Sequence, residues 1–336
     1  DNCAIAIKNT GVKVYRIISE SFVDHSEARN LIPMVIIDGR EIPANQPPSD
    51  ADVICYTTCK SAIYKGPCKA VVLDEAGTLL DPDILIPLSK CVNRLMIFGD
   101  HKQLGPHIGS KKCVHAHYGV NIMKRMNRIG IKPHMLQCQY RMHPAISAFS
   151  SREFYKGLVQ DGVEPFKADK IINWPNPDVP LLFWNMESME EPYEDGSYVN
   201  EREADSIVLL LQKMLKSGVK GDQIGVITPY VAQQLILTRL LFNTFKKFRN
   251  RMYNQGKEFL DKIEIASVDA FQGREKEYII LSLVRSNLDQ NIGFLSDKKR
   301  MNVSLTRAKR GLIVVGNGST FVRSKEWMNF ITYCLS

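Results

Sequence analysis

Short apolar runs that end in charged or polar residues recur along the first half of this chain. They occupy residues 52–58, 69–73 and 94–98, and the first two end at Thr57 and beside Asp74. Each run has the length of a strand, and the spacers between them have the length of a helix. This alternation is typical of parallel βα units, in which the polar strand ends gather at one edge of the sheet. We therefore predict an α/β fold.

The second half of the chain repeats this organisation. Two strand-like runs, residues 263–268 and 278–284, enclose a polar turn at residues 269–275, and an arginine-bearing segment follows at residues 302–310. Charged groups at the carboxyl ends of parallel strands are suited to binding phosphate. Helical spacing ends before Leu136, so we predict two domains, residues 1–135 and 136–336.

Composition limits the class of protein. At 336 residues and 44% apolar content, the chain has room for about two domains with real cores. The net charge of +8 favours a polyanionic partner. No apolar run approaches the roughly 18 residues needed to span a bilayer, and the eight scattered cysteines are typical of reduced thiols in the cytosol or nucleus. We expect no membrane partner.

The pair Asp74 and Glu75, directly after an apolar strand, matches a Walker B arrangement. In such a site the first carboxylate holds Mg²⁺, mostly through water, and the second positions the attacking water. Gln103, in the loop after the next strand, suits an amide that senses a γ-phosphate. The alternatives are a helix cap for the carboxylates and an ordinary polar turn for Gln103.

Arg141 and Arg307 are candidate arginine fingers. A planar guanidinium stabilises charge on a transferring phosphoryl group and does not lose its proton. Isolated arginines are usually surface residues, but these two lie at similar points of successive βα units, which favours the functional interpretation.

Six motifs in order carry a resemblance to a known family: 74-DEAG, 99-GDHKQLGP, 137-QCQYRMHP, 227-ITPY, 268-VDAFQGREK and 302-NVSLTRAK. From about Ala51 to the C-terminus the chain resembles superfamily 1 helicases, in particular the up-frameshift RNA helicases of nonsense-mediated mRNA decay. The resemblance implies two RecA-like domains with parallel sheets flanked by helices. It also implies ATP and Mg²⁺ as cofactors, single-stranded RNA or DNA and mRNA decay factors as partners, and a cytoplasmic or nuclear location.

The same resemblance assigns roles at the nucleotide. Asp74 would hold magnesium, Glu75 would activate water, and Gln103 would sense the γ-phosphate. Tyr140 would stack on adenine and Glu275 would hydrogen-bond the ribose, while Arg141 and Arg307 would face the phosphates.

A nucleic-acid channel is implied as well. The family lines its RNA channel at positions that correspond here to Thr57, Thr228, Pro229 and Val268. These contacts go to the backbone of the strand, so binding is expected to be independent of base sequence and sensitive to salt.

One motif of the family is missing from the printed sequence. No G-x-x-x-x-G-K-[ST] is present, and the Gly256-Lys257 pair is followed by Glu258. Without that loop, backbone N–H groups and a lysine for the nucleotide phosphates are lacking. We expect either a fragment whose first domain is incomplete at its N-terminus or a degenerate, catalytically inactive RNA-binding or scaffold relative. A DNA helicase of the same superfamily is a further alternative.

Two weaker patterns favour ordinary structure. Cys113, His115 and His117 alternate along a predicted helix and therefore point to different faces, so we expect no metal site there. The basic and aromatic run at residues 245–253 matches a solvated helix face more readily than an RNA-binding surface.

Overall fold

The computed structural model describes residues 2–26, 28–37, 40–246 and 259–335. The chain forms two compact units, one made of Asp1–His101 with Gly105–Pro133 and the other of Lys102–Leu104 with His134–Ser336. The tripeptide Lys102–Leu104 thus groups with the second unit although its chain neighbours group with the first. The predicted division into domains at residue 136 stays a prediction.

The first unit contains short helices and three pairs of strands. Strand β1 pairs with β4 and β5 with β6, both in parallel, while β2 and β3 form an antiparallel hairpin. The helices are α1 (Asn2–Lys8), α2 (Asp81–Leu88), α3 (Lys111–His115) and α4 (Ile122–Arg128). The strands are β1 (Val14–Arg16), β2 (Met34–Ile37), β3 (Arg40–Pro43), β4 (Val53–Cys55), β5 (Cys68–Leu73) and β6 (Cys91–Ile97).

The second unit is built on a five-stranded parallel sheet in the order β13-β12-β14-β15-β9. Its helices are α5 (Pro144–Tyr155), α6 (Glu201–Lys216), α7 (Val231–Lys246), α8 (Lys298–Leu305) and α9 (Lys325–Leu335). Its strands are β7 (Cys138–Gln139), β8 (Gln160–Asp161), β9 (Leu181–Asn185), β10 (Glu191–Pro192), β11 (Tyr198–Val199), β12 (Ile224–Ile227), β13 (Glu264–Ala266), β14 (Lys276–Ser282) and β15 (Ala308–Gly316).

The central strand β14 shows why its sequence is continuously apolar. Ile279 and Leu281 point to a core layer that includes Phe149 and Trp327, whereas Tyr278 and Ile280 point to the opposite layer. A strand covered on both faces must be apolar at successive positions, unlike a strand with one face in water. The predicted α/β class with parallel sheets flanked by helices is confirmed.

Throughout the residues that the structure describes, no helix is both long and apolar enough to cross a bilayer.

Candidate functional site

Asp74 and Glu75 form a fixed turn at the end of β5. Glu75 has φ 50° and ψ 34°, the left-handed conformation that non-glycine residues seldom adopt. Asp74 Oδ1 accepts a hydrogen bond of 2.9 Å from Glu75 N, and Thr78 Oγ1 donates to Glu75 O at 2.8 Å. The Glu75 side chain makes no capping hydrogen bond to the following 3₁₀ turn. The helix-cap alternative for Glu75 therefore has no support in the geometry.

The turn packs tightly against the loop after β6. Ala76 N donates to Phe98 O at 2.9 Å, and the buried amide of Asn121 donates to Gly77 O at 2.8 Å. A Cβ on Gly99 would lie 2.9 Å from Gly77 N, closer than side chains are tolerated. Glycine is thus required at position 99 for the two strand ends to meet.

Asp74 is exposed, and the hydrogen bond from Glu75 N holds one of its carboxylate oxygens in place. A pre-oriented, accessible carboxylate fits Mg²⁺, which is usually bound through one or two carboxylates together with water and substrate phosphates. Within the described parts of the chain, no group of three or more His, Cys, Asp or Glu side chains could hold a metal ion.

Residues from three distant motifs meet in the second unit around Glu275. Arg141 Nε donates to Glu275 Oε2 at 2.5 Å, and Lys309 Nζ lies 2.9 Å from Glu275 Oε1. Arg141 Nη1 also donates to Thr306 O at 3.1 Å. Partial burial opposes ionisation of Glu275, but hydrogen bonds from Lys309 and Arg141 lower its pKa below the ordinary value. The carboxylate is therefore ionised and already paired.

Arg307 lies beside this cluster and is buried. Its guanidinium donates to Val303 O at 2.9 Å, to Thr306 Oγ1 at 2.9 Å and to Arg274 O at 3.4 Å. These bonds tie the end of α8 to the turn before β14. Arg307 thus has a structural role in this arrangement, and its role at phosphate stays a prediction.

Tyr140 is exposed and lies over Gly162. A Cβ on Gly162 would clash with the Tyr140 ring and would approach Cys138 Sγ to 2.8 Å. The absence of a side chain at position 162 makes room for the ring, which presents an aromatic surface to solvent. This arrangement suits the predicted stacking on a planar base.

Gln103 is half-buried in the tripeptide that groups with the second unit. Asn302 Nδ2 donates to Lys102 O at 3.1 Å, and Leu104 packs into the apolar layer that contains Phe149. The loop that carries the predicted γ-phosphate sensor is therefore anchored on both sides of Gln103.

The four predicted nucleic-acid contacts differ in exposure. Thr57 is exposed and Pro229 is half-buried, whereas Thr228 and Val268 are buried. Thr228 Oγ1 has no hydrogen-bond partner among the described residues. Direct contact of these four residues with a strand stays a prediction.

The pattern of Cys113, His115 and His117 does not lie on a single helix. His115 is the last residue of the short helix α3, and His117 lies beyond it with φ 55°. The basic and aromatic run at residues 245–253 lies largely outside the described residues.

Comparison with known proteins places this geometry in a family. Two models, each described as an AAA domain, match residues 36–111 and 118–319, and the second alone covers more than half of the chain. The chain is 40% identical over 292 residues to the regulator of nonsense transcripts 1 homolog of Neurospora crassa, covering 84% of this chain and 26% of that protein. The chain belongs to the AAA-domain superfamily 1 helicases.

Two further proteins are similar to this chain. ATP-dependent helicase NAM7 of Saccharomyces cerevisiae is 38% identical over 289 residues, covering 84% of this chain and 29% of that protein. A solved structure, the Arterivirus nonstructural protein 10 helicase, aligns with a TM-score of 0.46 and 11% identity over 98% of this chain and 52% of that chain. The family assignment does not rest on this structural likeness. The chain spans between a quarter and a third of the length of the two curated relatives.

The chain also contains a buried polar network that lies outside the six motifs. Glu203, 1% exposed in the first turn of α6, accepts hydrogen bonds from Ser282 Oγ at 2.6 Å and from Val284 N at 3.1 Å. Burial raises the pKa of Glu203 to about 7, although hydrogen bonds from Ser282, Val284 and Leu283 oppose the shift. Asn200 and Gln233 extend the network, with Asn200 N donating to Gln233 Oε1 at 2.9 Å.

A buried ion pair adjoins this network. Arg285 Nε donates to Glu190 Oε2 at 2.9 Å, and the two side chains are only 6% and 8% exposed. Arg285 Cζ also lies 4.2 Å from the centroid of the Tyr198 ring. The pair fixes the segment after β14 at the carboxyl edge of the sheet. In the sequence, the signal for Arg285 is the string VRSN at residues 284–287, directly after an apolar strand.

Proposed function

We propose that this chain is the motor core of an ATP-dependent RNA helicase or translocase that acts in nonsense-mediated mRNA decay. The proposal is carried by the meeting of Arg141, Glu275 and Arg307 in the second unit, where three motifs separated in sequence converge. Curated relatives named as regulators of nonsense transcripts support the assignment to this process.

In the second unit, Tyr140 stacks on adenine and Glu275 hydrogen-bonds the ribose. Arg141 and Arg307 stabilise negative charge on the phosphates, because each guanidinium keeps its proton at any physiological pH. Glu275 holds Arg141 in place through the ion pair of 2.5 Å until nucleotide binds.

In the first unit, Asp74 binds magnesium and Glu75 positions the attacking water. Bound Mg²⁺ would neutralise developing charge on the phosphates. Gln103 senses the γ-phosphate from a loop that is anchored through Lys102 and Leu104. ATP hydrolysis and the release of its products change how tightly each of the two domains holds the RNA strand. Family membership favours movement in the 5′ to 3′ direction.

Single-stranded RNA is the proposed polymer, with Thr57, Thr228, Pro229 and Val268 along its path. Contacts to phosphate and sugar make binding independent of base sequence and dependent on salt. The net charge of +8 agrees with such a polyanionic partner. We place the protein in the cytoplasm or nucleus, together with mRNA decay factors.

A second candidate is a catalytically inactive RNA-binding or scaffold protein. A DNA helicase is a third, because contacts to the backbone alone do not select RNA.

The test is ATP hydrolysis by the whole chain, with and without oligouridine, beside a Glu75→Gln variant and with oligothymidine as the second polymer. Hydrolysis stimulated by RNA and lost in the variant supports the motor. RNA binding without hydrolysis keeps the RNA assignment but shows that this chain alone does not hydrolyse ATP, as expected both of a fragment and of an inactive relative. Stimulation and unwinding restricted to DNA, or binding to neither polymer, overturns the RNA assignment.

A further inference from the structure

Phe294 is exposed at the carboxyl edge of the parallel sheet in the second unit. Its side chain is 59% exposed, and its ring centroid lies 6.1 Å from that of Tyr230, which follows β12. On the other side, Arg300 Cζ lies 6.0 Å from the Phe294 centroid. Arg300 in turn forms two hydrogen bonds, of 3.1 and 3.2 Å, to the carboxylate of Asp269, which follows β13. Tyr230 after β12 and Arg300 of α8 therefore lie on two sides of the ring, and Asp269 after β13 holds Arg300.

The backbone that carries Phe294 is rigid. Gly293 has φ 52°, and a Cβ there would lie 2.7 Å from Arg285 Nη1 and 2.9 Å from Tyr230 Oη. Leu295 is buried, and its carbonyl accepts a hydrogen bond of 2.8 Å from Trp327 Nε1. Ser296 Oγ closes the turn by donating to Gly293 O at 2.8 Å. The ring is thus presented to solvent from a fixed turn between buried neighbours.

Singly exposed apolar residues are common on protein surfaces and by themselves indicate nothing. Phe294 differs in its surroundings, because its exposed ring is held on a fixed turn beside the guanidinium of Arg300. Asn291 and Ser296, close to Phe294 in the sequence, are exposed polar residues. A nucleobase has the matching character, a flat π face with polar edges, and stacks on such rings regardless of its identity.

We propose that Phe294 is a stacking platform for an unpaired base of single-stranded RNA. The inference rests on the proposed RNA-binding function and deepens it, since it adds a contact to a base to contacts predicted for the backbone. Arg300 supports the stack from the side, where its guanidinium can approach the adjoining phosphate while Asp269 keeps it oriented. Arg285 and Tyr230 position the turn without touching the base.

The test measures binding of the whole chain to a fluorescent oligouridine and to an abasic oligonucleotide of the same length. The variants are Phe294→Leu and Phe294→Trp, with Phe22→Leu as the matched control. Phe22 is 63% exposed in the first unit, so its substitution removes a similar surface elsewhere.

We expect Phe294→Leu to weaken oligouridine binding by about 5- to 150-fold, the range for one lost base stack. Binding to the abasic strand should be unchanged, because it offers phosphates but no base. Phe294→Trp should keep the affinity, and its added fluorescence should be quenched by oligouridine but not by the abasic strand. Phe22→Leu should change neither affinity.

Equal losses on both strands, or no loss in Phe294→Leu, overturn the stacking role while leaving RNA binding intact. A Phe294→Trp variant that binds oligouridine without quenching overturns it too. A wild-type chain that binds no oligouridine overturns the proposed function and this inference with it. Urea unfolding of each variant checks that the fold is retained.

Discussion

The carboxylate of Glu203 accepts hydrogen bonds of 3.1 and 3.2 Å from the backbone N–H of Val284, a residue whose φ is 66°. A β-branched residue in this left-handed region costs on the order of 1–3 kcal/mol and persists only where its surroundings hold it. Asn200 Nδ2 holds the other side by donating to Val284 O at 3.3 Å. The chain turn that follows β14 is thus clamped by the first turn of α6.

Replacing Glu203 with Gln should remove a pH dependence of stability. Burial raises the folded pKa of Glu203 from 4.5 to about 7, so between these values only the unfolded chain releases the proton. The free energy of unfolding of the wild type should therefore fall as pH rises through this window, by on the order of 3 kcal/mol in total. Urea titrations across the window should show this fall in the wild type and a flatter profile in Glu203→Gln.

The control for that experiment is Glu201→Gln, an exposed carboxylate in the same helical turn. It should keep the wild-type pH profile. Identical profiles for the wild type and Glu203→Gln would contradict the assignment of the proton to Glu203.

Breaking the Glu190–Arg285 ion pair should lower the free energy of unfolding. Removing Glu190 alone leaves a buried guanidinium unpaired, for which we expect a loss of about 3–5 kcal/mol in the free energy of unfolding. It also strips acceptors from Ser286 N and Asn287 Nδ2. Urea unfolding of Glu190→Ala, Arg285→Met and the double variant should show the double variant to be less unstable than the sum of the two single changes.

Asp50→Asn is the matched control, because Asp50 pairs with Lys13 on the surface of the first unit. Screening by solvent should leave that change without a measurable effect. An effect of Glu190→Ala as small as that of Asp50→Asn would refute the importance of the buried pair.

Arg141→Ala and Arg307→Ala should lower the free energy of unfolding by different amounts. Arg307 satisfies three acceptors from a buried position, and its loss should cost about 1–3 kcal/mol for each acceptor left without a partner. Arg141 forms a partly exposed pair, and its loss should cost less than about 1 kcal/mol. Both should lower ATP hydrolysis if the proposed roles are right. An Arg307→Ala variant as stable as the wild type would contradict the structural part of this expectation.

Gly162→Val should weaken nucleotide binding through Tyr140. The new side chain would occupy the space under the ring and displace it. We expect a loss of about 2- to 10-fold in affinity for a fluorescent adenine nucleotide, as for a lost aromatic stack. Combining it with Tyr140→Ala should add no further loss. Gly109→Val, where a Cβ meets nothing within 4 Å, is the control and should leave affinity unchanged.

Strand β14 could be predicted because it is a continuous apolar run that is buried on both faces. The antiparallel pair β2–β3 is not among the predicted strands. The Asp38-Gly39 pair between its strands is a known hairpin signal, but each strand has only four residues.

The contact between Arg141 and Glu275 could not be predicted from local sequence patterns, because 134 positions separate the two residues. Only the family motifs indicated that they belong to one site. Glu203 could not be singled out at all. Acidic residues are ordinary in the first turn of a helix, where they complement the helix dipole, and Glu201 nearby is exposed. Only the packing of α6 against β14 distinguishes the two.

The tripeptide Lys102–Leu104 has a practical consequence for dissecting the molecule. Leu104, 7% exposed, fills part of the apolar layer of the second unit, and Lys102 supplies an acceptor for the buried amide of Asn302. A truncated chain that begins at residue 134 would have a hole where Leu104 packs and an amide donor deprived of its carbonyl. A linear cut cannot isolate the second unit intact, and a faithful version would need residues 102–104 supplied as a separate peptide or grafted ahead of the cut.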